Sequence, residues 1–174
     1  MKKEWIIITI FTLVLFASCK NNSLLNDIET FKSSKIDLCL DSMIRICPVN
    51  TIDKKDYTYV IYLDSSQCFS CLNNRLYAWE SIISQNPNLS VCMIYSYHRE
   101  TEKLIRHIKG KRFHWPIYVD TLNIFEKHNI TIKKSPLFHT FMINNSNEVV
   151  LIGNPITNQN INSLMRKINN YKLK

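Results

Sequence analysis

The order of short apolar runs restricts the fold of this chain more than any other feature. "YTYVIYLD" (57–64), "LSVCMIYSY" (89–97) and "WPIYVD" (115–120) are rich in β-branched and aromatic residues, the mark of buried strands. Helical spacing separates them. Leu72, Leu76, Trp79 and Ile83 share one helical face, and the pattern stops near Asn86-Pro87. Leu104, Ile105 and Ile108 repeat the spacing within 100–109, and a short helix is expected over 121–129 with Thr121 or Asp120 as its cap. "HTFMIN" (139–144) and "EVVLIG" (148–153) then flank "NSN", a hairpin signal. A last helix over 160–171 puts Ile161, Leu164, Met165 and Ile168 on one face. Alternating strands and helices build parallel crossover units, and the closing hairpin is antiparallel. The expected class is α/β: a mixed central sheet with helices on both faces and a C-terminal β-hairpin plus helix.

The N-terminal stretch reads "MKKEWIIITIFTLVLFASC". Lys2 and Lys3 precede a mainly apolar run of eleven residues, Ile6 to Phe16. A bilayer span needs ~20, so the run fits the apolar region of a signal peptide. Ala17 and Ser18 directly before Cys19 resemble the lipobox of bacterial lipoproteins, with Phe16 where Leu is usual. The resemblance implies a signal peptide over 1–18, lipidation at Cys19, and a protein anchored in the bacterial cell envelope facing the periplasm. Residues 19–35 then form the lipidated cysteine and tether, with a short helical piece around Leu24 to Phe31. Residues 36–174 form a single domain.

The formal net charge is +8. The densest basic run, "RETEKLIRHIKGKRFH" (99–114), has helical apolar spacing and a Glu102–Arg106 pair at i,i+4. It reads as a solvated helix face, and an exported protein is not expected to meet nucleic acid. Only two glycines occur, 110 and 153, which argues against a phosphate-cradling loop.

The chemistry centres on "DSSQCFSCLNN" (64–74), where Cys68 and Cys71 enclose Phe69 and Ser70. The pair alone admits a redox dithiol, half of a metal site, or a structural staple. Structural zinc wants a second close ligand pair. Cys39 and Cys47 are eight apart and the histidines (98, 107, 114, 128, 139) are scattered, so no metal is indicated. Covalent haem needs His after the second cysteine, and residue 72 is Leu. Export lets thiols pair and stay paired, so the staple stays open.

A strand ending in "YLD", then "SSQCFSC", then a helix carrying Trp79 resembles the thioredoxin superfamily, and within it the exported TlpA-type thiol-disulfide oxidoreductases. "HTFMINNSNEVVLIGNPI" is similar to the family's last hairpin. The resemblance covers about residues 55–172. It implies that Cys68 attacks a substrate disulfide and Cys71 resolves the mixed disulfide. Phe69 and Pro136 would be substrate-binding, Pro136 as the family's cis-proline. The implied partners are thiols or disulfides of exported proteins, a membrane electron relay, and the membrane through the lipid anchor; no cofactor is implied. The alternative is a binding lipoprotein of the same fold in which Cys68–Cys71 is a structural disulfide.

Departures from the family pattern are specific. Pro136 lies two residues earlier than the family's spacing to "TF", and Phe138 stands there instead. Thioredoxin's buried acid, six residues before the first cysteine, is Tyr62 here; Asp64 is four before. Ile61 and Ser65 replace the Pro and Thr of peroxiredoxins. Cys92, Trp79 and Phe125 are expected in the core, and His139 is expected as a hydrogen-bonded histidine near the site. Pairing of Cys39 with Cys47 is open: a two-residue turn at Asp41-Ser42 would set Cys39 opposite Ile44 and keep the two cysteines apart.

Overall fold

The computed structural model describes residues 23–46, 55–64, 69–96, 101–110 and 115–171, with the side chains of 69–75, 101, 104 and 171 outside the description. Residues 1–22, including the expected signal peptide and Cys19, lie outside it, as do Cys47 and Cys68. A helix, α1, covers residues 23–32. There follow β1 (Ile44–Arg45), β2 (Tyr57–Leu63), α2 (Phe69–Gln85), β3 (Leu89–Ser96), α3 (Thr101–Lys109), β4 (Ile117–Asp120), α4 (Ile124–His128), β5 (Thr140–Asn144), β6 (Val149–Ile152) and α5 (Gln159–Tyr171). Among the described residues no helix is long and apolar enough to cross a membrane.

The strands form one sheet in the order β1-β4-β3-β2-β5-β6. β2, β3 and β4 are mutually parallel. β5 runs antiparallel to β2, and β6 antiparallel to β5. This is the mixed sheet expected from the sequence. The hairpin turns at Asn144 to Glu148: Asn147 takes a left-handed φ of 61°, and the Asn144 carboxamide oxygen accepts the N–H groups of Ser146 and Glu148.

The pleat sends alternate residues to opposite faces. Tyr59, Ile61 and Leu63 of β2 join Val91, Met93 and Tyr95 of β3 on the first face, under Leu76 and Trp79 of α2, Ile108 of α3 and Met165 of α5. Val60, Tyr62, Cys92 and Ile94 point to the second face, under Phe31 of α1, Phe125 of α4, Ile132 and Phe138. Trp79, Cys92 and Phe125 are thus core residues, as expected. Asp120 is 1% exposed, yet its carboxylate is satisfied: it accepts the N–H groups of Leu122, Ile124 and Phe125 at 3.2, 3.0 and 2.8 Å. That caps α4, in the role the sequence suggested.

One boundary shifts and one open question closes. The segment 19–35 is more than a tether. Phe31 is 1% exposed and packs on Phe138 and Phe141, with ring centroids 4.7 and 5.0 Å apart. Lys35 also bridges to Glu148. One buried aromatic thus draws α1 into the domain, which begins before residue 36. Nor does Asp41-Ser42 form a hairpin turn: Leu40–Ser42 is a 3-10 turn, and the short β1 pairs with β4 instead. Cys39 is a free thiol, so the Cys39–Cys47 bridge is not formed.

Candidate active site

β2 ends at Leu63 and α2 begins at Phe69. Cys71 is therefore the third residue of α2, in its first turn. Cys68 lies outside the described residues, and of Phe69 and Cys71 only the backbone is described. The first turn of a helix carries unpaired N–H groups and the positive end of the helix dipole, both of which favour an anion. A thiol placed there ionises more readily than a free one, of pKa ~8.5.

At the same end of β2 a cavity of about 460 Å³ opens. Leu63, Trp79, Pro136, His139, Gly153 and Asn154 contribute to its walls. Trp79 is fixed from behind by Tyr59, whose ring lies 5.0 Å away. The Tyr59 hydroxyl donates to the Gly153 carbonyl at 2.6 Å. Gly153 has φ +118°, and a Cβ there would meet the Ile161 side chain at 3.1 Å. The positive φ favours glycine at the exit of β6, and a Cβ would also make the Ile161 side chain give way at the cavity's far wall. Leu137 and Ile156 on the rim are 40% and 36% exposed.

Pro136 lines this cavity but is not a cis-proline. Among the described residues no peptide bond is cis. Pro136 opens a 3-10 turn, Pro136–His139, capped by Ser135, whose hydroxyl accepts the Leu137 N–H at 3.2 Å. Proline's fixed φ suits that first position. Phe138, at the spacing of the family's proline, is fully buried on the second face.

His139 differs from expectation as well. It is 8% exposed, and among the described residues its Nδ1 has no hydrogen-bond partner. The Asp64 carboxylate lies 3.8 Å from that nitrogen, within ion-pair reach but beyond a hydrogen bond. The imidazole meets Tyr62 edge-on, with centroids 5.3 Å apart. Tyr62 itself points to the second face and donates to Glu126 at 2.8 Å. Burial first, and Glu126 beside it, push the Tyr62 hydroxyl well above its usual range. The place of thioredoxin's acid is thus a poor proton donor here, while His139, with Asp64 within ion-pair reach, lines the cavity.

The other described thiols are held protonated. Burial pushes Cys92 up to about 12. Burial, then the neighbouring Asp37, pushes Cys39 up to about 12. Sequence reading missed a grouping around Cys39: the fold brings Asp37, Cys39 and His128 together, with potential ligand atoms all within 4.8 Å of one another. No local motif announces it, since His128 and Asp37 are 91 residues apart.

No protein-family model matches the chain, and no curated protein matches it. Solved structures do. A Bacteroides thetaiotaomicron protein assigned as a protein disulfide isomerase matches with TM-score 0.51 at 14% identity, over 79% of this chain and 87% of that one. A Chlorobium tepidum protein assigned as a thiol:disulfide interchange protein, DsbE, matches with TM-score 0.48 at 12% identity, over 78% and 96%. The thioredoxin domain of a Bacteroides vulgatus thiol-disulfide oxidoreductase matches with TM-score 0.44 at 12% identity, over 64% and 80%. The first of these, the strand order and the placement of α2 after β2 define the class: the chain has a thioredoxin-like fold.

Proposed function

We propose that the chain is a thiol-disulfide oxidoreductase acting through Cys68 and Cys71, anchored at Cys19 and facing the periplasm. The observation that carries the reading is the start of α2. Cys71 lies in the first turn of α2, the helix that follows buried β2, and Cys68 comes one residue before that helix in the sequence. The Cys68 thiolate attacks one sulfur of a substrate disulfide; the S–S bond breaks, and the departing thiolate takes a proton from solvent. Cys71 then attacks Cys68, the mixed disulfide breaks, and the second substrate thiol leaves. Two electrons pass to the substrate and the Cys68–Cys71 pair is left oxidised. A membrane dithiol relay restores it. The half-exposed Leu137 and Ile156 at the cavity rim suit an unfolded, apolar substrate segment.

Trapping tests this reading. With Cys71→Ser, an oxidised exported protein should remain attached as a reductant-sensitive adduct; with Cys68→Ser no adduct should form. Adducts formed equally by both variants, or by neither, would contradict turnover. The second result would leave a thioredoxin-shaped binding lipoprotein.

A further inference from the structure

Asp37, Cys39 and His128 take no part in that exchange, yet the fold assembles them with care. His128 Nδ1 sits 2.8 Å from Asp37 Oδ2, and Cys39 Sγ sits 3.6 Å from the Asp37 carbonyl oxygen. The backbone beneath them is locked. Asn129, 8% exposed, accepts the Asp37 N–H at 3.1 Å and donates to the Asp37 carbonyl at 2.8 Å. It also donates to the Phe125 carbonyl at 2.8 Å, which ties the arrangement to α4. The residue next to His128 therefore holds residue 37 in register with it. Asp37 Oδ1 accepts the Cys39 N–H at 3.1 Å, so Oδ2 is the oxygen that faces His128. Cys39 takes a left-handed φ of 50°, uncommon for a residue other than Gly, Asn or Asp. That conformation turns its thiol back toward the other two groups.

An imidazole nitrogen, a thiol and a carboxylate are the donor set of a borderline-soft divalent cation, with tetrahedral Zn²⁺ the best fit. Side-chain exposures of 52% for His128 and 59% for Asp37 give an ion access from solvent. We propose that Asp37, Cys39 and His128 form a three-ligand zinc site, with Oδ2, Sγ and Nδ1 as donors and water in the fourth position. On binding, the Cys39 S–H bond is replaced by an S–Zn bond and one proton leaves to solvent. The His128 ring proton that Nδ1 donates to Asp37 moves through solvent to Nε2, which frees the Nδ1 lone pair for the ion, and no electron is transferred. The hydrogen bond between His128 and Asp37 gives way to two bonds on one ion. Asn129 and the Cys39 N–H act as the outer shell that fixes Asp37. The ion fastens the strap before β1 to the end of α4. It also withholds Cys39 from disulfide exchange in an oxidising compartment.

The test uses the full chain with Cys19, Cys47, Cys68 and Cys71 each replaced by Ser, leaving Cys39 and the core thiol Cys92. Titration with Co²⁺ should give one equivalent bound, with a thiolate-to-cobalt charge-transfer band that Zn²⁺ displaces. Adding Cys39→Ser should abolish the band. His128→Gln and Asn129→Ala should each weaken binding by at least ~10-fold, the second by disorienting Asp37. Absence of the band, or a band that survives Cys39→Ser, overturns the site. If the four-fold variant does not fold, the reduced wild-type chain is titrated with Zn²⁺ against a chelator. Cys39→Ser must then remove one equivalent, and unchanged stoichiometry overturns the proposal.

Discussion

The two faces of the sheet come from the same strands but close differently. On the second face an aromatic layer of Phe31, Phe125, Phe138 and Phe141 packs over Val60, Cys92 and Ile94, each of them buried. On the first face the apolar layer runs up to Tyr59 and Trp79 and then opens into the cavity bounded by Gly153 and His139. Neighbouring residues of one strand thus divide their side chains: Tyr62 packs into the aromatic layer while still touching the cavity, and Ile61 and Leu63 floor the cavity from the first face. The difference teaches that burial alone does not distinguish structural from chemical positions here. Geometry at the C-terminal ends of the parallel strands does.

That contrast can be broken from the sealed side. Phe125→Ala should lower unfolding stability by about 3–5 kcal/mol, because a fully buried ring leaves a cavity. The redox equilibrium of the folded protein should stay unchanged. Denaturant titration checks the first part, and a shifted redox equilibrium would show that the faces are not independent. On the open side, Gly153→Ala should cost about 1–3 kcal/mol through strain at positive φ. It should also slow exchange with protein substrates, because Ile161 and the cavity wall must shift.

His139 sharpens the comparison. Among the described residues its Nδ1 makes no hydrogen bond, so His139→Phe should change stability by no more than about 1 kcal/mol. His139 also walls the cavity, so the same variant should slow exchange with protein substrates; an unaltered rate would remove this wall from the substrate's path.

The smallest effect concerns acid. Hydrogen bonds from His128 and then Cys39 hold the Asp37 carboxyl below its ordinary 3.8. A lowered folded pKa gives stability that is present above 3.8 and lost as pH falls through the folded value. Asp37 is exposed, so the effect is small. Asp37→Asn should therefore flatten the acid limb of unfolding measured by circular dichroism below pH 4, leaving stability at neutral pH nearly unchanged.

Much of this architecture is legible in the sequence because buried parallel strands announce themselves. "VIYL" and "SVCMIY" are apolar on both faces, and only a doubly covered sheet accepts them. The hairpin was legible from "NSN", and the Asp120 cap from its place before Leu122. β1 was not, since two residues, Ile44 and Arg45, carry no periodicity. The 3-10 turns over Ile130–Lys134 and Pro136–His139 bury Ile132 and Phe138, single apolar residues that carry no period, although Ser135 and Pro136 are a local start signal for the second turn. The family resemblance offered Pro136 as a cis-proline although the spacing fell on Phe138, whereas the chain uses Pro136 to start a turn. The grouping of Asp37 with His128 follows from Asn129 bridging distant segments, which no local pattern records.

The most direct test of the central claim is the redox equilibrium of Cys68 and Cys71, measured on the full chain with Cys19→Ser against a thiol buffer, with Cys68→Ser and Cys71→Ser as controls. The account predicts a reversible two-electron transition, absent from both controls, at roughly −120 to −270 mV. A pair that stays oxidised far below that range, or that never forms a disulfide, would contradict it.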